Sequence, residues 1–166
     1  DAVQIQRAWD ALDSLEQQIP EVAFEAAERL LAHGGAATVS RQWLLPVWET
    51  MVQVRDALNL PQRIRLARVL ERGFAVPDGA PDSGWLARIE TAQMGNPRDA
   101  VLQYLAGVVC MRLSLWGKAQ QLFKQSLAIL HDSELARDTW LALAQMAEQR
   151  QDVQAATHAY REAAKR

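Results

Sequence analysis

The last seventy residues contain two copies of one pattern, and this repetition limits the possible folds more than any other feature of the chain. The second copy reads W-x2-L-A-x2-A and then A-x3-Y-x2-A, from Trp140 to Ala147 and from Ala156 to Ala163. Five positions of the first copy lie 37 residues before their counterparts. These five are Gly107, Cys110, Ala119, Phe123 and Ser126.

The pattern has a simple cause in helix packing. Two helices approach to about 8 Å only where small residues face each other and bulky residues fill the space beside them. The small set is Gly107, Ala119, Ser126, Ala144, Ala156 and Ala163. The bulky set is Phe123, Trp140, Leu143 and Tyr160. This is the spacing of a tetratricopeptide repeat, whose period is about 34 residues. The turn near residues 131–133 is therefore expected to carry about three extra residues.

Apolar residues recur at helical spacing along the rest of the chain, and strand-like alternation is absent. This predicts an all-α fold of about nine helices, with antiparallel hairpins stacked as a right-handed superhelix. We expect degenerate hairpins over 1–76 (helix pairs 2–33 and 39–72), a loop over 77–84 and repeats over 85–166. The two repeats are predicted at about 100–133 and 137–166, all within one solenoid domain. Pro46 is expected inside a helix over 39–58, and Asn96 and Pro97 at the start of another.

Composition excludes several classes of protein. The formal net charge is −2, so no global field would attract nucleic acid or an anionic membrane. A single cysteine, Cys110, excludes an intramolecular disulfide and a multi-cysteine metal site. No apolar run is long enough to span a membrane. Because the chain begins at Asp1 within a helical pattern and has no initiator methionine, we expect it to be a piece of a longer protein, with anchors or further domains outside it.

The residues that could carry chemistry each have a structural explanation. His33, His131 and His158 share no ligand spacing, so no metal site is predicted and haem ligation is only an alternative. Cys110 takes a small-residue position and is expected to pack as a small hydrophobe. Glu21, Glu25 and Glu28 form an acidic row that is typical of a solvated helix face. We therefore expect no catalytic residue and no enzyme activity.

Two groups remain as candidates for binding. Arg65, Arg68 and Arg72 share one helix face and could contact carboxylates or phosphates, although plain solubility is the favoured explanation. The second group lies on the first helix of each repeat, where such folds present a concave groove for a partner peptide or helix. It consists of Tyr104, Val108, Met111, Arg112, Leu141, Gln145 and Gln149.

Several segments also resemble one family. They are Leu115-Trp116-Gly117-Lys118-Ala119 with Ser126-Leu127 after it, Trp85-Leu86 and Gly95-Asn96-Pro97 before it, and the repeat from Asp152 to Tyr160. Together they resemble the C-terminal part of HemY-type proteins, which are associated with haem biosynthesis in proteobacteria. Trp116 and Gly117 also have a packing explanation, at the start of a helix and in a tight turn.

The resemblance implies a soluble tetratricopeptide region held at the bacterial inner membrane, with a part in a late step of protohaem synthesis. The expected function is a non-enzymatic scaffold that binds protein segments, such as those of haem-pathway enzymes, without a cofactor. A haem or porphyrin carrier is the alternative, and a homodimer is possible because an uncapped solenoid end often self-associates.

Overall fold

The computed structural model describes all 166 residues and confirms the all-α fold, with ten helices and no strand. The helices are α1 (Ala2–Asp10), α2 (Ser14–Gln17), α3 (Pro20–Ala32), α4 (Ala37–Gln53), α5 (Leu60–Ala75), α6 (Ser83–Gly95), α7 (Ala100–Arg112), α8 (Trp116–Ile129), α9 (Ser133–Gln149) and α10 (Val153–Ala164). None of them is both long enough and apolar enough to cross a bilayer.

The helices form two compact units, residues 1–82 and residues 83–166. In the first unit α3, α4 and α5 pack against one another, and α1 and α2 pack on α3. Trp9 of α1 stacks on Trp43 of α4, with ring centroids 4.8 Å apart and planes 17° apart. Both rings are buried, so this stack stabilises the packing of α1 on the rest of the unit.

The second unit contains two helix hairpins, α7 with α8 and α9 with α10. Helix α6 packs on α7, and α8 packs on α9, so the hairpins lie side by side. Helix α7 is buried almost all round, from Val101 to Cys110, because it has neighbours on both sides. Its continuous apolar sequence follows from that position.

Some predicted boundaries were wrong for identifiable reasons. The helix expected over 2–17 is two helices, because Asp13 begins a new capping box with Glu16. The helix expected over 39–58 ends at Gln53, since Val54 is extended and Asp56 has a φ of 60°. Pro46 lies in the interior of α4 and not in its first turn.

The connection before α7 also differs from the prediction. Asp99, and not Asn96, is the N-cap of α7 and accepts a hydrogen bond from the Leu102 N–H. Asn96 instead donates from its side chain to the carbonyl oxygen of Ala92, near the end of α6. The proline therefore precedes the helix and does not begin it.

The extra residues of the second repeat lie in a helix and not in the turn where they were predicted. Helix α9 has 17 residues and α7 has 13. Only three residues, 130–132, separate α8 from α9. The 37-residue offset thus comes mainly from one additional turn at the start of α9.

Candidate partner-binding cleft

The turns that close the two hairpins have the same geometry. Ser114 and Gln151 have φ values of 60° and 61°, and they lie 37 residues apart. In each turn the next residue, Leu115 or Asp152, donates its N–H to a carbonyl five residues earlier, at 2.8 and 2.9 Å. This is a Schellman motif, which ends a helix sharply and turns the chain back. The first turn brings the end of α7 close to the start of α8.

A cleft of about 300 Å³ opens beside that turn. Its walls come from the end of α7, the turn, the first residue of α8 and the last part of α9. The lining residues are Met111, Arg112, Ser114, Trp116, Gln145, Met146 and Gln149. This volume is at the lower end of the range for ligand pockets.

The structure brings together four of the seven residues that were predicted to line a groove. Met111, Arg112, Gln145 and Gln149 line the cleft. Leu141 is half-buried and does not line it.

Tyr104 and Val108 are both 2% exposed and lie in the core of the unit. The Tyr104 ring lies against that of Phe123, with centroids 5.9 Å apart. Helix α7 packs against both α6 and α8 and is apolar almost all round, so its periodicity alone could not show which face stays open.

Sequence reasoning missed Ser114, Trp116 and Met146 as lining residues. The Trp116 side chain is 43% exposed, although packing at the start of α8 was its expected role. Ser114 reaches the cleft because the left-handed turn projects it there. The Leu115–Ala119 segment was the one available signal, since it had been singled out for its family resemblance.

Gly117 does not make this turn possible. A Cβ atom on Gly117 would meet nothing within 4 Å, and its φ is not in the left-handed region. Ser114 adopts the left-handed conformation instead.

The charge in the cleft comes from Arg112. This residue is exposed and forms no ion pair, and no carboxylate lines the cleft. Lys118, in the first turn of α8, pairs with a carboxylate outside the cleft. Its Nζ lies 2.9 Å from Glu90 Oε1, and this hydrogen bond raises the pKa of Lys118. Arg112 therefore remains available to a ligand.

The predicted arginine row on α5 is largely occupied by carboxylates of the same unit. Arg65 contacts Glu28 through two nitrogens, at 2.6 and 3.2 Å, and this pairing raises its pKa. Arg68 pairs with Glu71 at 3.0 Å. Arg72 is exposed at the end of the helix. Arg65 thus joins α5 to α3, and the Arg68 pair lies within α5, so two of the three arginines already have carboxylate partners.

The acidic row on α3 is used in the same way. Besides Glu28, Glu21 accepts a hydrogen bond of 2.6 Å from the Gln62 side chain, which lowers the pKa of Glu21. Glu25 pairs with Arg29 on its own helix at 2.9 Å. Glu21 and Glu25 are exposed, and Glu28 is half-buried.

The small residues of the repeat pattern lie at close helix contacts. A Cβ atom on Gly107 would lie 2.7 Å from the Phe123 ring, so the ring packs directly on the α7 backbone. Ala119, Ser126 and Ala144 have no exposed surface. The Ser126 hydroxyl donates to the Ala100 carbonyl at 2.9 Å, and so ties α8 to the start of α7.

The bulky residues of the second copy are less enclosed. Leu143, Ala156 and Ala163 are buried, but Tyr160 is 40% exposed. The Tyr160 pKa is raised by a hydrogen bond from its hydroxyl to Glu148. Trp140 is half-buried and meets the His158 ring edge-on at 5.5 Å.

The histidines and the cysteine lie apart from the cleft. His33 ends α3, His131 lies between α8 and α9, and His158 is on α10, and all three are exposed. Cys110 is buried, and burial raises the pKa of its thiol. A buried thiol with a raised pKa is a weak nucleophile, which agrees with a packing role.

No protein-family model, curated protein or solved structure matches the chain. The functional argument therefore rests on the cleft and the residues around it.

Proposed function

We propose that the chain is a non-enzymatic scaffold of the tetratricopeptide type, which binds a segment of a partner protein in the cleft between α7, α8 and α9. The single observation that carries the proposal is the composition of the cleft. Trp116, Met111 and Met146 offer apolar surface, and Arg112 with two glutamines offers polar contacts. Trp and Arg are enriched at the energetic centres of protein interfaces, and Met at adaptable ones.

The partner class follows from the family resemblance described above. We propose that the segment belongs to a haem-pathway enzyme at the bacterial inner membrane. The alternative function is a porphyrin carrier. None of the three histidines lines the cleft, whereas Met111 and Met146, whose thioether is another haem-ligand type, do. Titration with hemin tests it directly, and a saturable Soret shift lost in a His-to-Ala variant would favour the carrier.

Site-specific photo-crosslinking tests the scaffold in cells. A benzoylphenylalanine residue at Gln149, in the cleft, is expected to trap a discrete partner protein. The same residue at Gln125, exposed on α8 and outside the cleft, is the matched control. Identical adducts at both positions, or none at Gln149, would count against the cleft as the binding site.

A second variant separates binding from folding. Trp116→Ala removes the exposed ring. We expect at least a tenfold loss of partner affinity, because truncating a tryptophan at the centre of an interface often costs about 2 kcal/mol of binding free energy or more. Tyr104→Ala is unsuitable for this purpose, since Tyr104 is buried and its loss would disturb the core. Circular dichroism of Trp116→Ala should match that of the unaltered chain.

A further inference from the structure

The charges around the cleft indicate what kind of segment it accepts. Arg112 is the one charged residue among those that line it; the others are apolar, amide or hydroxyl side chains. In the same unit Lys118 is paired with Glu90 at 2.9 Å, and Arg137 lies 3.6 Å from Asp138. Arg112 has no such partner, so a carboxylate from another molecule could contact its guanidinium without displacing an internal contact.

The apolar part of the cleft limits the rest of the ligand. Trp116, which is 43% exposed, lines the cleft together with Met111 and the more deeply buried Met146, and a volume of about 300 Å³ is small for a ligand pocket. A ligand that fills this space and also reaches Arg112 must carry an apolar side chain and an acidic one close together. Gln145 and Gln149 can then hydrogen-bond the ligand backbone, since each amide both donates and accepts.

We propose that the cleft recognises an acidic linear segment in which Asp or Glu lies within a few residues of a bulky aliphatic or aromatic residue. This inference rests on the proposed scaffold function and specifies its ligand. The carboxylate pairs with the Arg112 guanidinium, and the apolar side chain packs on Trp116, Met111 and Met146. A guanidinium holds a carboxylate with two parallel hydrogen bonds, so the contact is directional.

The test is a selection with a random 12-residue phage library on three immobilised proteins. These are the full 166-residue chain, its Arg112→Glu variant and its Arg137→Glu variant. Arg137 is the matched control, because it is an exposed arginine near the other end of α9 and outside the cleft. Peptides from the unaltered chain and from Arg137→Glu are expected to share Asp or Glu next to a bulky apolar residue.

On Arg112→Glu the selected charge is expected to reverse to Lys or Arg beside the same apolar residue. Synthetic peptides from the first selection should bind Arg112→Gln about tenfold more weakly, as expected for the loss of a charge-assisted contact. The same peptides should lose affinity in high salt, because the pair is exposed.

The outcomes separate this inference from the proposed function. If the selected peptides lose affinity for Trp116→Ala but show no preference for Asp or Glu, the inference is overturned and the proposed scaffold function stands. Peptides that bind Trp116→Ala and Arg112→Gln unchanged would overturn the cleft as the site. If no peptide is enriched on the folded chain, both proposals fail.

Discussion

A Cβ atom on Gly107 would lie 2.7 Å from two carbons of the Phe123 ring, which is closer than real Cβ atoms approach other atoms. Phe123 has no exposed surface, so its ring has little room to move away. We expect Gly107→Ala to lower the free energy of unfolding by about 1–3 kcal/mol, the usual cost of overpacking a core. Chemical denaturation followed by circular dichroism measures the change.

Gly117 is the control for this prediction. A Cβ atom there would meet nothing within 4 Å, and the residue is in α8. Gly117→Ala should leave stability unchanged or raise it by up to about 1 kcal/mol, because alanine favours the helix. Equal losses in both variants would contradict the packing explanation of Gly107.

At the scale of elements, the turns that end α3, α7 and α9 share one backbone geometry, but two of them carry a residue type that disfavours it. Three helices end in a Schellman motif: α3 at Gly34, with a φ of 77°, α7 at Ser114 and α9 at Gln151. Glycine adopts this conformation without a Cβ clash, whereas other residues are strained there. Two of the three turns therefore store a small amount of backbone strain.

Replacing Gln151 with glycine should remove that strain. We expect Gln151→Gly to raise the free energy of unfolding by about 0.5–1 kcal/mol. The gain from removing the backbone strain is partly offset, because glycine has more conformational freedom in the unfolded chain. The comparison is with Gln121→Gly, in the exposed interior of α8, which should lower it by roughly 0.5–1 kcal/mol. Thermal unfolding of the two variants should shift in opposite directions.

Much of the element pattern could be predicted from sequence, because helical periodicity and the proline and glycine breaks are local signals. The short helix α2 and the extra turn of α9 could not, since they depend on which of several competing caps is used. The cleft was predicted only in part. Met111 and Arg112 are at the end of α7, where the helix becomes accessible, but Tyr104 and Val108 in its interior are buried. Only the tertiary packing shows that difference.

At the scale of the whole molecule, one buried cation connects the loop after α5 to the rest of the first unit. Arg41 is 2% exposed, and its guanidinium lies 5.1 Å from the centre of the Phe74 ring. One terminal nitrogen donates to the Gly79 carbonyl at 3.0 Å, and burial lowers the Arg41 pKa. The loop after α5 is thus part of the packing of this unit and not a free linker.

The position of that contact predicts the outcome of shortening the chain. A fragment of residues 1–82 should fold with a helical circular dichroism spectrum and a cooperative transition. A fragment of residues 1–76 lacks the Gly79 acceptor and should be less stable by about 1–3 kcal/mol, because a buried charged donor is left unsatisfied. Equal stabilities would show that Arg41 does not need the loop, and failure of residues 1–82 to fold would favour one solenoid domain.

The exposed ring of Trp116 gives the molecule a spectroscopic probe of its own. Trp9, Trp43, Trp48 and Trp85 are all 7% exposed or less, and Trp140 is half-buried. Collisional quenching by iodide should therefore act mainly on Trp116, and excitation at the red edge of the absorption band should select it further. A ligand in the cleft would shield this one emitter, so occupancy could be followed by light alone, without a label.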